Sequence, residues 1–471
     1  MNTRSRVRAG AVAVVFALLA AGCTGGGAGG GGVQGTPGAA GLRDPMFPKL
    51  GNGGYDVSHY ALTLSYDPAS GRLDGRAEIT ARATQDLSAF NLDLDGLTVR
   101  GATVDGAPAA VNRAGNELTL RPRDDIDAGK RFVATVTYTG VPKTITDSDG
   151  SEEGWLKTAD GAVAVGEPTG SMAWFPGNHH PSDKASYDIT VTVPAGLQAV
   201  SNGVLSSERK SADGRTTTSV WHAAEPMASY LATLAIGHFD TSTTTATLGR
   251  AKVPVLTAAD PSVAAKSAAL RAKIPEILDW EQQNFGPYPF AAAGAIVERD
   301  GDLGYALETQ GRPIFPASSF EEGTLVHELA HQWYGDSVTP ASWKDIWLNE
   351  GFATYGEWLY EEDFQHTPAQ KNFEKAFAND DAWAFPPAAP TSSEDLFSAP
   401  VYQRGAMVLH KIRQKVGDDV FYEILSGWPA KHRYGTATTE DFTKYAESVA
   451  GEDLSDVWKV WLYGDEKPDK P

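Results

Sequence analysis

The chain has 471 residues, 41% hydrophobic and 21% charged, which excludes disordered and collagen-like proteins and suffices for two or three domains. Its 60 acidic residues against 40 basic ones give a formal net charge of −20. This charge argues against nucleic acid and anionic lipid as partners, because both would be repelled. The only cysteine is Cys23, so no disulfide can form within the chain.

The first 23 residues have the features of a bacterial lipoprotein signal peptide. Arginines at positions 4, 6 and 8 precede an apolar run over 9–21, which is too short for a transmembrane helix. The run ends in a segment that resembles a lipobox, in which Cys23 is lipidated and becomes the new N-terminus. An ordinary signal peptide with an incidental cysteine is the alternative. We expect the glycine-rich residues 24–45 to form a flexible tether to the outer side of a bacterial cell membrane.

A β-rich domain is predicted over residues 46–245. Apolar and polar residues alternate within several runs, which is typical of strands with one buried face. The clearest runs cover residues 60–66, 77–81, 132–138 and 187–193. We expect these strands to be antiparallel and to form a sandwich-like domain.

The remainder, residues 246–471, is predicted to be an α-rich domain, so the fold class is mixed α+β. Apolar residues at helical spacing predict one long helix over 262–284, with a kink at Pro275, and a short β segment follows at 295–297. The first of the later helices opens with a capping-box pattern at Ser319–Glu322. These later helices are predicted at 319–335, 343–362, 402–416 and 439–450.

The predicted 319–335 helix contains the run His-Glu-Leu-Ala-His at 327–331. His327 and His331 are four residues apart, so they project from one helical face and can share one cation. Neutral imidazole suits Zn²⁺, and a catalytic zinc takes three protein ligands and leaves one position open. Glu328 follows a ligand directly and therefore points beside the metal, as a general base must. The alternative is a helix whose histidines are only polar surface.

Glu350, nineteen residues after His331, is the predicted third ligand. A second helix antiparallel to the first can deliver this carboxylate to the metal across a short connection. The alternative is a solvated helix residue. The neighbours of Glu350 are Trp347, Leu348 and Phe352, which make a poor environment for an unpaired carboxylate.

With this third ligand, the sequence resembles the gluzincin aminopeptidases, the zinc exopeptidases that include membrane alanyl aminopeptidase and leukotriene-A hydrolase. Their signature is the same histidine motif and a glutamate at this spacing, typically within W-L-N-E-G-F-A. The resemblance runs from about Tyr55 to the C-terminus. It implies a thermolysin-like catalytic domain at 246–471, one Zn²⁺ per chain and peptide substrates with a free N-terminus. About 120 residues follow Glu350, so we expect the short form without the C-terminal helical domain, and a more open cleft.

The resemblance also assigns substrate-binding residues. Glu308 stands where the family carries the glutamate that binds the α-ammonium of the substrate, although Tyr305 and Thr309 replace the usual glycine and asparagine. Glu167 resembles the β-domain glutamate that reaches the same ammonium, and Tyr402 resembles the tyrosine that stabilises the transition state. Taken alone, either carboxylate could be a surface or structural residue.

The leading prediction is a monomeric zinc aminopeptidase tethered to the membrane through Cys23. A thermolysin-like endopeptidase on the same fold is the first alternative. A catalytically idle surface-binding protein is the second, against which the intact Glu328, Glu350 and Tyr402 argue. The adjacent pair His179-His180 is interpreted as structural rather than as a second metal site, because neighbouring residues of a strand point to opposite faces.

Overall fold

The computed structural model describes residues 35–470 and shows a β-rich domain followed by an α-rich domain. The predicted signal peptide and Cys23 lie outside the described residues. Within residues 35–470, no helix has the length and apolar character needed to cross a membrane.

The β-rich part is built mainly from strands with one buried face. In chain order they are β1 (Thr36–Pro37), β2 (Tyr55–Asp67), β3 (Arg72–Ala83), β4 (Leu87–Asp93), β5 (Thr98–Val104), β6 (Ala107–Pro108), β7 (Ala110–Ala114), β8 (Glu117–Arg121), β9 (Arg131–Gly140), β10 (Thr144–Thr146), β11 (Glu152–Lys157), β12 (Ala162–Val165), β13 (Lys184–Pro194), β14 (Gln198–Ser201), β15 (Val204–Lys210), β16 (Thr216–Ala228) and β17 (Leu234–Gly237). Short 3₁₀ turns occur at Gly170–Ala173 and Ser229–Leu231.

These strands form three sheets, and the largest has eight strands in the order β15-β16-β13-β2-β3-β9-β5-β6. Buried and half-buried residues alternate along β13, in line with the period of two in the sequence. The strands of this domain are mainly antiparallel, as expected, but β13 pairs with β2, and β1 with β4, in parallel. The chain leaves the large sheet after β9 and builds β10–β12 in another sheet before β13 returns, and such a crossover permits parallel pairing.

Residues 35–45, the only part of the predicted tether at 24–45 that lies within the described residues, are packed rather than flexible. β1 pairs with β4, and the buried carboxylate of Asp44 accepts hydrogen bonds from Ser342 Oγ (2.7 Å) and from the Trp343 backbone N–H (2.9 Å). The pKa of Asp44 lies well below its ordinary value, because its hydrogen bonds, first among them that to His180, outweigh the opposing effect of burial. Glycine content predicted a mobile segment, but contacts with distant residues of the α-rich part hold it in place.

The chain after residue 239 begins with the sheet β18-β19-β20-β21 and continues mainly as helices. The strands are β18 (Asp240–Leu248), β19 (Ala251–Ala259), β20 (Ala293–Glu298), β21 (Ile314–Pro316), β22 (Thr339–Pro340) and β23 (Thr436–Ala437). The α-helices are α1 (Ala264–Arg271), α2 (Ile274–Phe285), α3 (Glu322–Ala330), α4 (Trp347–Phe364), α5 (Ala369–Ala378), α6 (Gly405–Val416), α7 (Asp418–Lys431), α8 (Thr439–Ala450) and α9 (Ser455–Val457). Shorter 3₁₀ or π segments are Trp343–Asp345, Asp380–Trp383, Ser393–Asp395, Pro400–Arg404 and Trp458–Leu462.

Several predicted boundaries differ from these elements. Residue 245, where the sequence analysis divided the domains, lies inside β18, which pairs with β19, so a boundary before Asp240 keeps this strand pair together. The long helix predicted over 262–284 is two helices, and Pro275 occupies the first turn of the second, where its missing N–H costs nothing.

Candidate active site

The two histidines and the glutamate predicted as metal ligands converge. His327 is in the last turn of α3, His331 directly follows that helix, and Glu350 is in the first turn of α4. Glu350 Oε2 lies 3.2 Å from His327 Nε2 and 3.4 Å from His331 Nε2. Donor atoms bound tetrahedrally to zinc at about 2.0–2.1 Å stand about 3.3 Å apart, so this donor set fits a zinc ion.

The outer nitrogen of each histidine ring is held by a hydrogen bond. His327 Nδ1–H donates to the Glu357 carboxylate over 2.6 Å, and His331 Nδ1–H donates to the Tyr334 backbone carbonyl over 3.0 Å. These bonds leave both Nε2 atoms free and aim them at Glu350. Sequence reasoning missed Glu357, although it lies seven residues after Glu350 on α4, a spacing that puts both on one helical face.

Glu328 and Tyr402 face the same cavity of about 210 Å³ as the three ligand residues. Burial raises the pKa of Glu328 to about 8. The ring of Tyr402 lies nearly parallel to that of His327, with centroids 5.9 Å apart. Helices α4 and α6 approach closely at two glycines, since a Cβ on Gly351 would lie only 2.9 Å from Gly405 Cα. This close approach lets Tyr402, three residues before Gly405, lie beside His327.

Glu167 and Glu308 form the other end of this cavity. They are 7% and 2% exposed, and Oε1 of each has no hydrogen-bond partner within residues 35–470. Burial raises the pKa of both carboxyls, and the charge of Glu308 raises that of Glu167 further. One oxygen of each lies within 4.8 Å of the other and of Glu350. A cation bound between these two buried carboxylates would pair with both of them.

Two residues that sequence reasoning missed hold these carboxylates in place. Gln332 donates from Nε2 to the Glu308 backbone carbonyl (3.2 Å) and accepts from the Gly311 N–H (2.6 Å). Glu153 accepts from the N–H groups of Thr169 and Gly170, which fixes the loop that follows Glu167. Gln332 directly follows a metal ligand, whereas no feature of the sequence marks Glu153.

Tyr305, which replaces a glycine of the family pattern, joins the two domains at the cavity. Its hydroxyl donates to the backbone carbonyl of Glu167 over 3.4 Å, and its side chain lines the cavity. The tyrosine at position 305 therefore does not displace Glu308, and its side chain forms part of the cavity lining.

The pair His179-His180 is structural, as predicted. The ring of His179 contacts Ser229 Oγ and the Phe175 backbone carbonyl, whereas that of His180 contacts Ser182 Oγ and Asp44. Burial lowers the pKa of His179 to about 4, which keeps that ring neutral at physiological pH.

Comparison with known proteins agrees with this geometry. The model of the peptidase M1 N-terminal domain matches residues 56–231, and that of the peptidase family M1 domain matches residues 318–461. A crystal structure of an M1 zinc metallopeptidase from Deinococcus radiodurans is 30% identical with a TM-score of 0.85, covering 91% of this chain and 98% of that one. The chain belongs to peptidase family M1. The predicted family and its catalytic zinc are thereby confirmed, and the chain matches a two-domain M1 metallopeptidase over nearly the full length of that structure.

This M1 peptidase spans less than half the length of the curated relatives it matches. Aminopeptidase M1-C of Oryza sativa subsp. japonica is 28% identical over 332 residues, which are 65% of this chain and 37% of that protein. Aminopeptidase 2 of Candida albicans is 26% identical over 444 residues, 86% of this chain and 46% of that protein.

Proposed function

We propose that this M1 peptidase is a zinc-dependent aminopeptidase that removes single residues from the free N-terminus of peptides. One observation carries the proposal: the zinc-compatible donor set and two unpaired buried carboxylates open into one cavity. The curated relatives named above are aminopeptidases, and a variant of the Deinococcus radiodurans enzyme was crystallised with the substrate Tyr-Ser-Ala.

The short distance between the metal ligands and the paired carboxylates of the cavity explains why one residue is removed at a time. A carboxylate oxygen of Glu308 lies within 4.8 Å of one on Glu350, so an ammonium bound by Glu308 stands next to the metal site. The α-nitrogen and carbonyl carbon of one amino acid are about 2.5 Å apart. A peptide bound in this way would present its first peptide bond, rather than an internal one, to the metal site.

Different residues carry out metal binding, proton transfer and stabilisation of the oxyanion. His327, His331 and Glu350 would hold the zinc, which when bound would supply the Lewis acid for polarising the scissile carbonyl and ionising water. Glu328 accepts the proton of the attacking water and returns it to the leaving amine. The Tyr402 hydroxyl donates to the oxyanion that forms on the former carbonyl.

A panel of peptides tests the proposal. Free and N-acetylated versions of the same peptides are incubated with the enzyme, with and without a chelator, and the products are identified by mass spectrometry. We expect stepwise trimming of the free peptides, little cleavage of the acetylated ones and no cleavage after chelation. Internal cleavage of acetylated peptides at the same rate would establish the endopeptidase alternative. Peptide binding without cleavage by the zinc-loaded protein would establish the binding-protein alternative.

We further propose that Cys23 carries lipid and anchors the enzyme on the outer side of a bacterial cell membrane. The basic segment, the short apolar run and the position of the only cysteine support this. Mass spectrometry of the mature N-terminus should find a Cys23 that carries more than one acyl chain, since one chain anchors only weakly. An unmodified Cys23 would contradict the anchor.

A further inference from the structure

A second cavity, of about 590 Å³, adjoins the catalytic one. Phe397 and Tyr402 line both cavities, so they form a shared wall. The second cavity lies between α4, α5 and the segment 397–403. Glu167 and Glu308 do not line it.

The second cavity lies on the side of the zinc site away from the paired glutamates. Glu308 clusters with Glu328 and His331, whereas Glu357, which lines the second cavity, bonds to the outer nitrogen of His327. A peptide whose ammonium is held by Glu308 and whose first carbonyl is at the metal site can continue past Phe397 and Tyr402, which line both cavities, towards the second cavity.

The length of the second cavity matches the few residues that follow the scissile bond in a short peptide. The α4 residues that line it, Thr354, Glu357 and Trp358, follow Glu350 by four to eight positions, which is about 6–12 Å along a helix axis. An extended peptide advances about 3.3 Å per residue. Two or three residues beyond the scissile bond therefore bring the C-terminus of a tripeptide or tetrapeptide into this cavity.

One lysine gives this cavity a positive charge. Among the described lining residues only Lys375, on α5, is cationic, and it forms no ion pair within residues 35–470. Its ammonium donates to Asn372 Oδ1 over 3.2 Å, which leaves further N–H groups for another acceptor. The one carboxylate of the lining, Glu357, is already bonded to His327.

The side-chain amides near Lys375 already form hydrogen bonds with other residues of the protein. Asn372 Nδ2 donates to Glu361 over 2.8 Å, and Asn379 Nδ2 donates to Gln403 Oε1 over 2.8 Å. These bonds fix the polar walls around Lys375 and leave its ammonium as the cationic donor for a ligand. The catalytic cavity, by contrast, is lined by several carboxylates.

We propose that Lys375 binds the C-terminal carboxylate of short substrates, so that the enzyme prefers tripeptides and tetrapeptides with a free C-terminus. This inference rests on the proposed aminopeptidase function. The two cavities then recognise the two charged ends of one peptide: the glutamates bind its ammonium and Lys375 binds its carboxylate.

The test compares kcat/KM for tripeptides and tetrapeptides as free acids and as C-terminal amides. We expect the wild-type enzyme to favour the free acids about tenfold, mainly through KM, because the amides lose a charge-assisted hydrogen bond. Lys375→Gln should remove this preference without changing the values for the amides, and Lys375→Glu should reverse it. For ten-residue peptides the acid-to-amide ratio should approach one, because their C-terminus extends beyond Lys375.

Lys371→Gln is the matched control. Lys371 is exposed one turn earlier on α5, so the variant removes the same charge from the same helix but leaves the cavity unchanged. It should keep the preference for free acids. Equal rates for acids and amides in the wild type, or a preference that survives in Lys375→Gln, would overturn the inference.

An aminoacyl anilide separates this inference from the proposed function. Such a substrate has a free amine but no carboxylate, so all the lysine variants should cleave it like the wild type. If the wild-type enzyme fails to cleave the anilide and every peptide, the aminopeptidase function itself is wrong. If it cleaves them but ignores the C-terminal charge, only the role of Lys375 is wrong.

Discussion

The two ends of the catalytic cavity are prepared for their ligands in opposite ways. At the metal end, hydrogen bonds to Glu357 and Tyr334 fix both histidine rings, and their free nitrogens point at Glu350. At the ammonium end, the backbones of Glu167 and Glu308 are fixed, but one oxygen of each carboxylate has no partner within residues 35–470. The metal end is thus organised by the protein, whereas in the proposed function the ammonium of the substrate completes the other end.

This difference separates catalysis from recognition. Zinc binding needs three donor atoms at fixed separations, which hydrogen bonds to the outer ring nitrogens maintain. Recognition of an ammonium group needs negative charge that the correct substrate neutralises. A ligand without a positive charge leaves a buried carboxylate unpaired, which makes its binding free energy less favourable. Different variants should therefore lower kcat, the discrimination between free and acetylated peptides, or the affinity for zinc, each separately from the other two.

The largest effect is expected for Glu328→Gln. The amide cannot accept a proton, so kcat should fall about 10²- to 10⁴-fold while the zinc content stays at one per chain. Steady-state kinetics and elemental analysis measure the two quantities. The ratio of activity on free to acetylated peptides should stay as in the wild type, since neither end of the cavity changes. A near-normal kcat would remove Glu328 from the role of base.

Glu308→Ala should act on recognition instead. Loss of one partner of a buried charge pair costs about 2–5 kcal/mol, so kcat/KM for free peptides should fall roughly 30- to several-thousand-fold. Activity on acetylated peptides should change little, which erases the discrimination between the two substrates. Zinc content should be unchanged.

Asp149→Asn is the control for Glu308→Ala. Asp149 lines the same cavity but is exposed, and one of its oxygens already accepts hydrogen bonds from Ser151. This variant should keep the discrimination between free and acetylated peptides. Equal loss in both variants would mean that general negative charge, rather than a specific ammonium contact, governs recognition.

The smallest effect is expected for Glu357→Gln. It weakens the hydrogen bond that orients His327, and changes of this kind typically cost 10- to 100-fold in metal affinity. Competition with a chelator measures that affinity, and excess zinc should restore most activity. Glu361→Gln, one turn further along α4, removes a carboxylate that bonds Asn372 and should leave zinc affinity unchanged. Unaltered affinity in Glu357→Gln would contradict the assigned orientation role.

The elements with strong local patterns were predicted best. β13 and α4 lie close to their expected positions, because alternation and helical spacing are properties of neighbouring residues. α5 and α7 were missed, and α3 begins at Glu322 without the expected side-chain cap. Helix ends depend on capping contacts that a short sequence window does not determine.

The sequence by itself predicted the metal ligands and the base, because His327, Glu328 and His331 lie within five consecutive residues and Glu350 follows at the spacing of a recognised motif. Tertiary structure alone decided which distant groups serve that site. Tyr305 reaches Glu167 across 138 positions of the chain, and the contacts of Glu153 with the loop after Glu167 and of Glu357 with His327 form only when separate elements pack together. Helical periodicity is a local property, whereas contacts between elements depend on how the whole chain fills its core.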